Sequence, residues 1–276
     1  MILVTGASGF VGRHVTRALA ESGVRVRAMV RTARGAAALD GVACVVHLVA
    51  IRQGKDERFE RIMSRGTRDL VDAARGAGVG RFVHMSALGT NEETKDLVPY
   101  YRAKWEMEQT VQGSGLPYVV FRPSFVFGAD GGALPRFVRI ARLFPLTPVI
   151  GPGTQRLQPI WIDDVVRAVR LAVDGEGSNG PVELGGPDPV TWSDFWRRLK
   201  TALGTRRPSI HVPFWLARGP AAMFERIPPA LVTRDQLRML EGPDNVVSDG
   251  GASMRRLGLE ERIGLEEQLR RGVGGG

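Results

Sequence analysis

The first twelve residues, MILVTGASGFVG, constrain the chain more than any other stretch. An apolar run long enough for one strand ends in Gly6, Gly9 and Gly12, spaced by three. It leads into FVGRHVTRALAESG, where Val11, Val15, Ala18 and Leu19 share one helical face. VRVRAMVR then reads as a second strand, so the chain opens as strand, helix, strand. Each glycine has its own task in such an opening. The first allows a tight turn, the second lets the backbone approach a pyrophosphate at the helix N-terminus, and the third lets helix and strand pack closely. The expectations are a dinucleotide site at this turn and a parallel sheet behind it.

The alternation continues through ACVVHLVA, a helix around GTRDLVDAARGAG, RFVHMSA, a helix from Pro99 closed by Gly113, and PYVVFRPS. Strands joined by helices in this rhythm predict an α/β fold with a doubly wound, parallel Rossmann-like sheet. About eleven residues separate the strand ending at Arg31 from the one starting near Ala43. That is too few for the helix, strand and helix of a full dinucleotide fold, so one edge strand is expected to be missing. The second strand then becomes an edge. Its arginines 25, 27 and 31 would face away from Val24, Val26, Ala28 and Val30 and discourage edge-to-edge pairing. After Gly128 the rhythm gives way to Pro- and Gly-rich loops, then returns in IWIDDVVRAVRLAV and VELGG. The expected division is a dinucleotide-binding domain from 1–128 plus about 158–185, and a smaller C-terminal lobe from about 129–157 and 186–276.

The chain has 276 residues and a net charge of +9, with 34 Arg and only 4 Lys. The arginines are spread along the whole length without a basic block or interleaved aromatics, so nucleic acid is not the expected partner. The single Cys44 lies in an apolar run and is read as core packing, and no metal-ligand spacing occurs. No apolar stretch approaches the ~20 residues of a membrane-spanning helix. With no export signal ahead of ILVTG, the expected location is cytoplasmic.

Where a NAD-binding unit would carry an acid at the end of its second strand, this chain has Arg31. NADP(H) is therefore the expected preference, with NAD(H) an alternative. Arg31, or Arg13 or Arg34 beside it, would pair with the 2′-phosphate. PYYRAKWEMEQ holds the second chemical signal. A tyrosine with an ordinary pKa near ~10 needs a neighbouring cation to act as acid or base near neutrality. Tyr100 and Lys104 lie one helical turn apart and can supply such a pair. Tyr101, three residues before Lys104, could also reach. Periodicity selects Tyr100, since Tyr100, Lys104, Met107 and Val111 form a stripe with apolar members, whereas Tyr101 shares its side with Trp105, Glu108 and Gln112.

With TGASGFVG, FVHMSALG, YYRAK, FRPSFVFG and WIDDVVRAV in this order, the chain resembles the extended and atypical, epimerase/dehydratase-like short-chain dehydrogenase/reductases over residues 1 to about 185. QPIWIDDV and TRDQLRMLEGPDNVV are similar to one branch, the NAD(P)H-binding accessory subunit of respiratory complex I. The resemblance implies a cofactor lined by Gly6, Ser8, Gly9, Phe10, Val11 and Gly12, by Leu48, Val49 and Ala50, and by Met85, Lys104 and Pro123. Tyr100 would be the acid/base and Lys104 its pKa modifier and ribose ligand. It also implies a hydroxyl after the RFVHMSA strand to polarise the substrate carbonyl. That position holds Ala87, with Ser86 one step early, so Ser86 serves only if the strand has ended or bulges there. Thr90 and Ser124 are the other candidates. Two functions follow: hydride transfer at a carbonyl or alcohol of a small molecule, an apolar one among the candidates, or nucleotide binding without turnover in a protein or membrane complex.

Other residues are given structural readings. His47 and His84 sit in strands and are read as packed, and Asp163 and Asp164 as the start of a helix. The segment with Phe214, Trp215, Met223 and Phe224 is read as lobe core, or else as an apolar lid or partner contact.

Overall fold

The structure, a computed structural model, describes residues 1–29, 36–51, 53–177, 179–218 and 233–274. Two compact units emerge. The first comprises Met1–Pro123, Ile162–Leu184 and Val247–Glu261. Its chain runs β1 (Ile2–Thr5), α1 (Phe10–Glu21), β2 (Val26–Met29), β3 (Cys44–His47), α2 (Asp56–Phe59), α3 (Gly66–Gly76), β4 (Arg81–Met85), α4 (Pro99–Gln112) and β5 (Tyr118–Pro123). A π-helical stretch, Glu60–Arg65, joins α2 to α3. Later segments add α6 (Ile162–Val173), β10 (Pro181–Leu184) and α9 (Ala252–Arg256).

The six strands form one parallel sheet in the order β10-β5-β4-β3-β1-β2. From β1 the chain crosses to β2 on one side and later resumes at β3 on the other. Right-handed crossovers therefore send α1 to one face and α2 to α4 to the opposite one. Between β1 and β3 lies the switch point, where an open α/β sheet leaves a crevice at its carboxyl edge. The core on the α3 and α4 face joins Leu3, Val45, Phe82 and Val120 from four neighbouring strands to Val71, Ala74 and Val111 from the helices. Phe82 is fully buried there, and truncating such a side chain to alanine typically costs about 3–5 kcal/mol.

β2 is the edge strand, as the short connection to β3 requires. Its Arg27 does not simply point into solvent: Nη1 donates to the carbonyls of Ala38 at 2.7 Å and Asp40 at 3.1 Å, fastening the connection to the edge. Residues 247–261, placed by sequence in the lobe, pack instead on the first unit. Ser248 donates through its backbone N–H, at 2.5 Å, and through its hydroxyl, at 2.9 Å, to Glu183 of β10. Leu257 and Leu259 of this return segment are buried.

The second unit comprises Ser124–Trp161, Gly185–Val246 and Arg262–Gly276. It contains β6 (Val126–Phe127) beside β9 (Ile160–Trp161), β7 (Thr147–Ile150) beside β12 (Ser209–Val212), and β8 (Arg156–Leu157) beside β11 (Val190–Thr191). Around these pairs lie α5 (Leu134–Leu143), α7 (Trp192–Ala202), α8 (Arg234–Glu241) and α10 (Leu265–Gly274). Its core is aromatic: the Phe137 ring meets those of Trp192, Phe195 and Trp196 edge-on at 5.2–5.6 Å. Trp215, read from sequence as part of the lobe core, is instead 72% exposed. Met223 and Phe224 lie outside the described residues.

Candidate functional site

The glycine loop closes the carboxyl end of β1. Gly6 has φ +72°, a left-handed conformation that side chains avoid, and a Cβ there would lie 2.9 Å from the backbone carbonyl of Leu48. This contact seats the loop on the residues that follow β3, so Gly6 and the Leu48–Val49 pair are neighbours. Gly12 is constrained differently: a Cβ would lie 2.1 Å from the Gly6 carbonyl oxygen, so the first turn of α1 closes on the loop itself. Gly9, at φ −74°, caps α1 with no side-chain hydrogen bond, and that first turn carries no acid. Its N–H groups are thus oriented for an anion, and no carboxylate repels one. Ser8 is exposed, Phe10 and Val11 are half-buried, and Ala50 is exposed beyond Leu48. Pro123, at the carboxyl end of β5, accepts from the Leu88 N–H at 2.9 Å. Arg31 and Arg34 lie outside the described residues, and Arg13 is exposed over the Phe10 ring.

Helix α4 holds Tyr100 and Lys104 and buries a wider face than its apolar stripe suggests. Tyr101, Ala103, Lys104, Met107, Glu108 and Val111 are all buried. The outward placement of Tyr101 and Glu108 is therefore corrected. The helix packs against both the sheet and the neighbouring π-helical stretch, and the line Tyr101, Lys104, Glu108, Val111 runs down the middle of the enclosed face. Glu108 tolerates this because Arg122 of β5 grips its carboxylate from two nitrogens, at 2.5 to 3.2 Å. Tyr101 is wedged with its hydroxyl against Gly89, and burial, with Tyr100 beside it, pushes its phenol above the ordinary range. Such a phenol is a poor acid/base. Tyr100 is half-buried against Phe59, Met63, Ala103 and Met107, and so keeps the access that Tyr101 lacks.

Lys104 is 1% exposed. Its Nζ donates to the Met85 carbonyl at 2.6 Å, tying α4 to the end of β4. Burial lowers its pKa to about 7, against the opposing pull of Glu108. An ammonium in this position can release and regain a proton near neutrality.

The sheet hydrogen bonding runs on past Met85, since the Ser86 and Leu88 N–H groups donate to the carbonyls of Phe121 and Pro123 at 2.7 and 2.9 Å. Hydrogen bonding to β5 thus continues beyond Met85, the last residue of β4, through Ser86 and Leu88. By alternation Ser86 shares the face of Phe82 and His84, beneath α4, while Ala87 belongs to the other. Its hydroxyl is buried and has no hydrogen-bond partner, as is that of Thr90. Ser124 belongs to the second unit, where its hydroxyl bonds the Asn245 side chain at 2.6 Å.

A polar row escaped the sequence reading. Thr5, His47 and His84 are lateral neighbours on β1, β3 and β4. The Thr67 hydroxyl donates its one proton to the Met63 carbonyl at 2.6 Å, so it must accept from His47 Nε2–H at 3.0 Å. Nδ1 of His47 then accepts from the Thr5 hydroxyl at 2.6 Å. Burial, and secondarily Lys104, lowers the His47 pKa to about 3. His84 stacks on it at 5.5 Å and is likewise kept neutral by burial, then by Lys104 and His47. The signal was available in sequence, in the polar residue near the end of each apolar strand: ILVT, CVVH, FVHM. Cys44 is packed as expected, its thiol pushed up to about 12 by burial. Asp163 and Asp164 open α6, where Asp164 pairs with Arg167 at 3.1 Å. No group of His, Cys, Asp and Glu suited to a metal occurs among the described residues.

A ketoreductase of Stigmatella aurantiaca, named for 4-hydroxy-2-methyl-3-oxo-4-farnesyl-3,4-dihydroquinoline-1-oxide, is 28% identical over 96% of this chain and 93% of its own length. NADH dehydrogenase (ubiquinone) 1 alpha subcomplex subunit 9 of Arabidopsis thaliana, a mitochondrial protein, is 24% identical over 93% of this chain and 73% of its own. Among solved structures, UDP-glucuronic acid 4-epimerase from Bacillus cereus in complex with NAD superposes with a TM-score of 0.77 at 18% identity, covering 99% of this chain and 97% of that one, a likeness of fold. Residues 2–185, the span of the glycine loop, the tyrosine helix and the sheet, match the NAD dependent epimerase/dehydratase family, to which this chain belongs.

Proposed function

We propose that the protein is an NADP(H)-dependent oxidoreductase that transfers hydride at a carbonyl or alcohol. The observation that carries this reading is Lys104, buried one turn from Tyr100 and fixed to the carboxyl end of β4. Gly6, Gly9 and Gly12 would hold the pyrophosphate, with Ser8, Phe10, Val11, Leu48, Val49, Ala50, Met85 and Pro123 along the rest of the nucleotide. When bound, the nicotinamide supplies or accepts the hydride. Tyr100 gives its hydroxyl proton to the forming alkoxide, and the Lys104 ammonium offsets the phenolate left behind. Ser86, beneath the helix, is an auxiliary hydroxyl rather than the principal carbonyl donor, so Tyr100 carries most of the polarisation. Arg31, with Arg13 or Arg34, would select the 2′-phosphate, since no acid stands at the end of β2. An apolar small-molecule substrate is favoured by the likeness to a ketoreductase whose named substrate bears a farnesyl group. We place the activity in the cytoplasm.

A test follows directly. Tyr100→Phe should lower turnover by at least ~10²-fold while leaving NADPH affinity intact, because only the proton donor is lost. Unchanged turnover would overturn the assignment. A second reading, nucleotide binding without chemistry, is favoured by Ala87 at the place where the family resemblance puts a hydroxyl, and by the likeness to a respiratory-complex subunit. It predicts a large rise in melting temperature with NADPH and no oxidation of it across a broad carbonyl panel.

A further inference from the structure

The large apolar side chains that stand exposed among the described residues lie in two stretches of the second unit. They are Leu143, Phe144 and Leu146 in one, and Ile210, Trp215 and Leu216 in the other. The fold brings the two stretches together. β7 and β12 pair in parallel, Thr147 opposite Ser209 and Pro148 opposite Ile210, and the Thr147 N–H donates to the Pro208 carbonyl at 2.9 Å. At one end Arg207 donates to the Phe144 carbonyl at 2.9 Å. At the other, the Phe214 ring lies over Gly151.

On β7 strand alternation determines what the ladder shows to solvent, whereas β12 exposes Ser209, Ile210 and His211 alike. Thr147 and Val149 are buried, so their neighbours Pro148 and Ile150 face outward, level with Ile210 and Val212. The outer face of a two-stranded ladder is thus wholly apolar. A fully paired sheet would turn such a face to a core, but here no described element covers Ile210, which is 47% exposed.

The charge around this face decides its partner. Residues 134–150 and 205–218 contain six arginines and no Asp or Glu. Arg218 is paired with Glu241 at 2.9 Å, and Arg207 is engaged by carbonyl groups that leave its charge uncompensated. A second copy of the chain seated here through a two-fold axis would set these arginines against one another. An anionic lipid surface meets both demands, taking the apolar side chains among its acyl chains and the guanidinium groups among its headgroups. Trp215 suits that boundary, its indole being apolar in body with one polar N–H. No helix among the described residues is long and apolar enough to cross a membrane.

We infer that the outer face of the β7–β12 ladder, with Leu143, Phe144, Trp215 and Leu216 at its ends, docks the protein on an anionic membrane surface. Docking is separate from cofactor binding and does not depend on the oxidoreductase reading.

The test is sedimentation of the full chain with phosphatidylcholine vesicles, alone or containing about a third phosphatidylglycerol. Binding is expected on the mixed vesicles, weaker on the neutral ones, and reduced at about 0.5 M salt. The double variant Trp215→Ala/Leu216→Ala, at exposed positions, should keep its melting temperature and NADPH response while losing at least about tenfold in vesicle affinity. Absence of binding to the mixed vesicles, or equal binding by the variant, overturns the inference. So does a concentration-dependent dimer in sedimentation velocity that the same variant abolishes, which would assign the face to a second copy.

Discussion

Within helix α4, Tyr100, Tyr101 and Glu108 have different fates. Tyr100 remains accessible, Tyr101 is sealed against Gly89, and Glu108 is buried against Arg122. Glu108 survives there only through Arg122, itself 13% exposed. Removing one member of such a pair leaves an uncompensated buried charge, so Glu108→Ala should cost about 3–5 kcal/mol, a fall in melting temperature on the order of 10 °C by calorimetry. Replacing both residues with methionine should recover most of that loss. The tyrosine–lysine pair was legible from spacing because one turn is a local relation. Which tyrosine faces solvent was not, because a helix enclosed on two sides buries more than one stripe, and only the tertiary partners Gly89 and Arg122 settle which polar residues can be buried.

The strand, helix, strand opening was fully legible at the scale of elements, since three glycines in that context leave the backbone few alternatives. The structure adds a division of labour among them. Gly12 has no room for a methyl group, while Gly9 has an ordinary φ and a Cβ would meet only the Gly6 carbonyl oxygen, at 3.2 Å. Gly12→Ala should therefore destabilise the protein by about 1–3 kcal/mol in urea unfolding and abolish NADPH binding. Gly9→Ala should leave stability within about 0.5 kcal/mol and weaken NADPH alone, as read by titration calorimetry. The return of residues 247–261 to the first unit could not be read in advance, because Ser248 finds Glu183 across 65 positions of sequence and no local pattern announces it. The polar row on β1, β3 and β4 was partly legible. Each strand shows a polar residue near its end, but the register that sets Thr5, His47 and His84 side by side is a property of the sheet.

Taken as a whole molecule, the protein should be more tolerant of alkali than of acid. His47 is neutral in the folded state with a pKa near 3, below its ordinary 6.5, so its stabilising contribution is complete above pH 6.5 and is lost as pH falls toward 3. Lys104 acts in the same direction over another window. Its folded pKa of about 7 lies below the ordinary 10.5, so the cost of burying the ammonium is relieved between those values. The melting temperature should still be rising between about pH 7 and 9, and His47→Leu should flatten the acid limb while lowering the plateau, as thermal scans across pH would check. A constant melting temperature from pH 7 to 9 would contradict the buried ammonium. The hydrogen bonds around His47 have a further consequence. Every proton in the chain from Thr5 to Met63 is committed to one acceptor, so the imidazole N–H is locked in a single tautomer away from water. It should appear as a slowly exchanging, downfield nitrogen-bound resonance, an internal beacon for the integrity of the central strands beneath the glycine loop, readable by NMR without any label on the ligand.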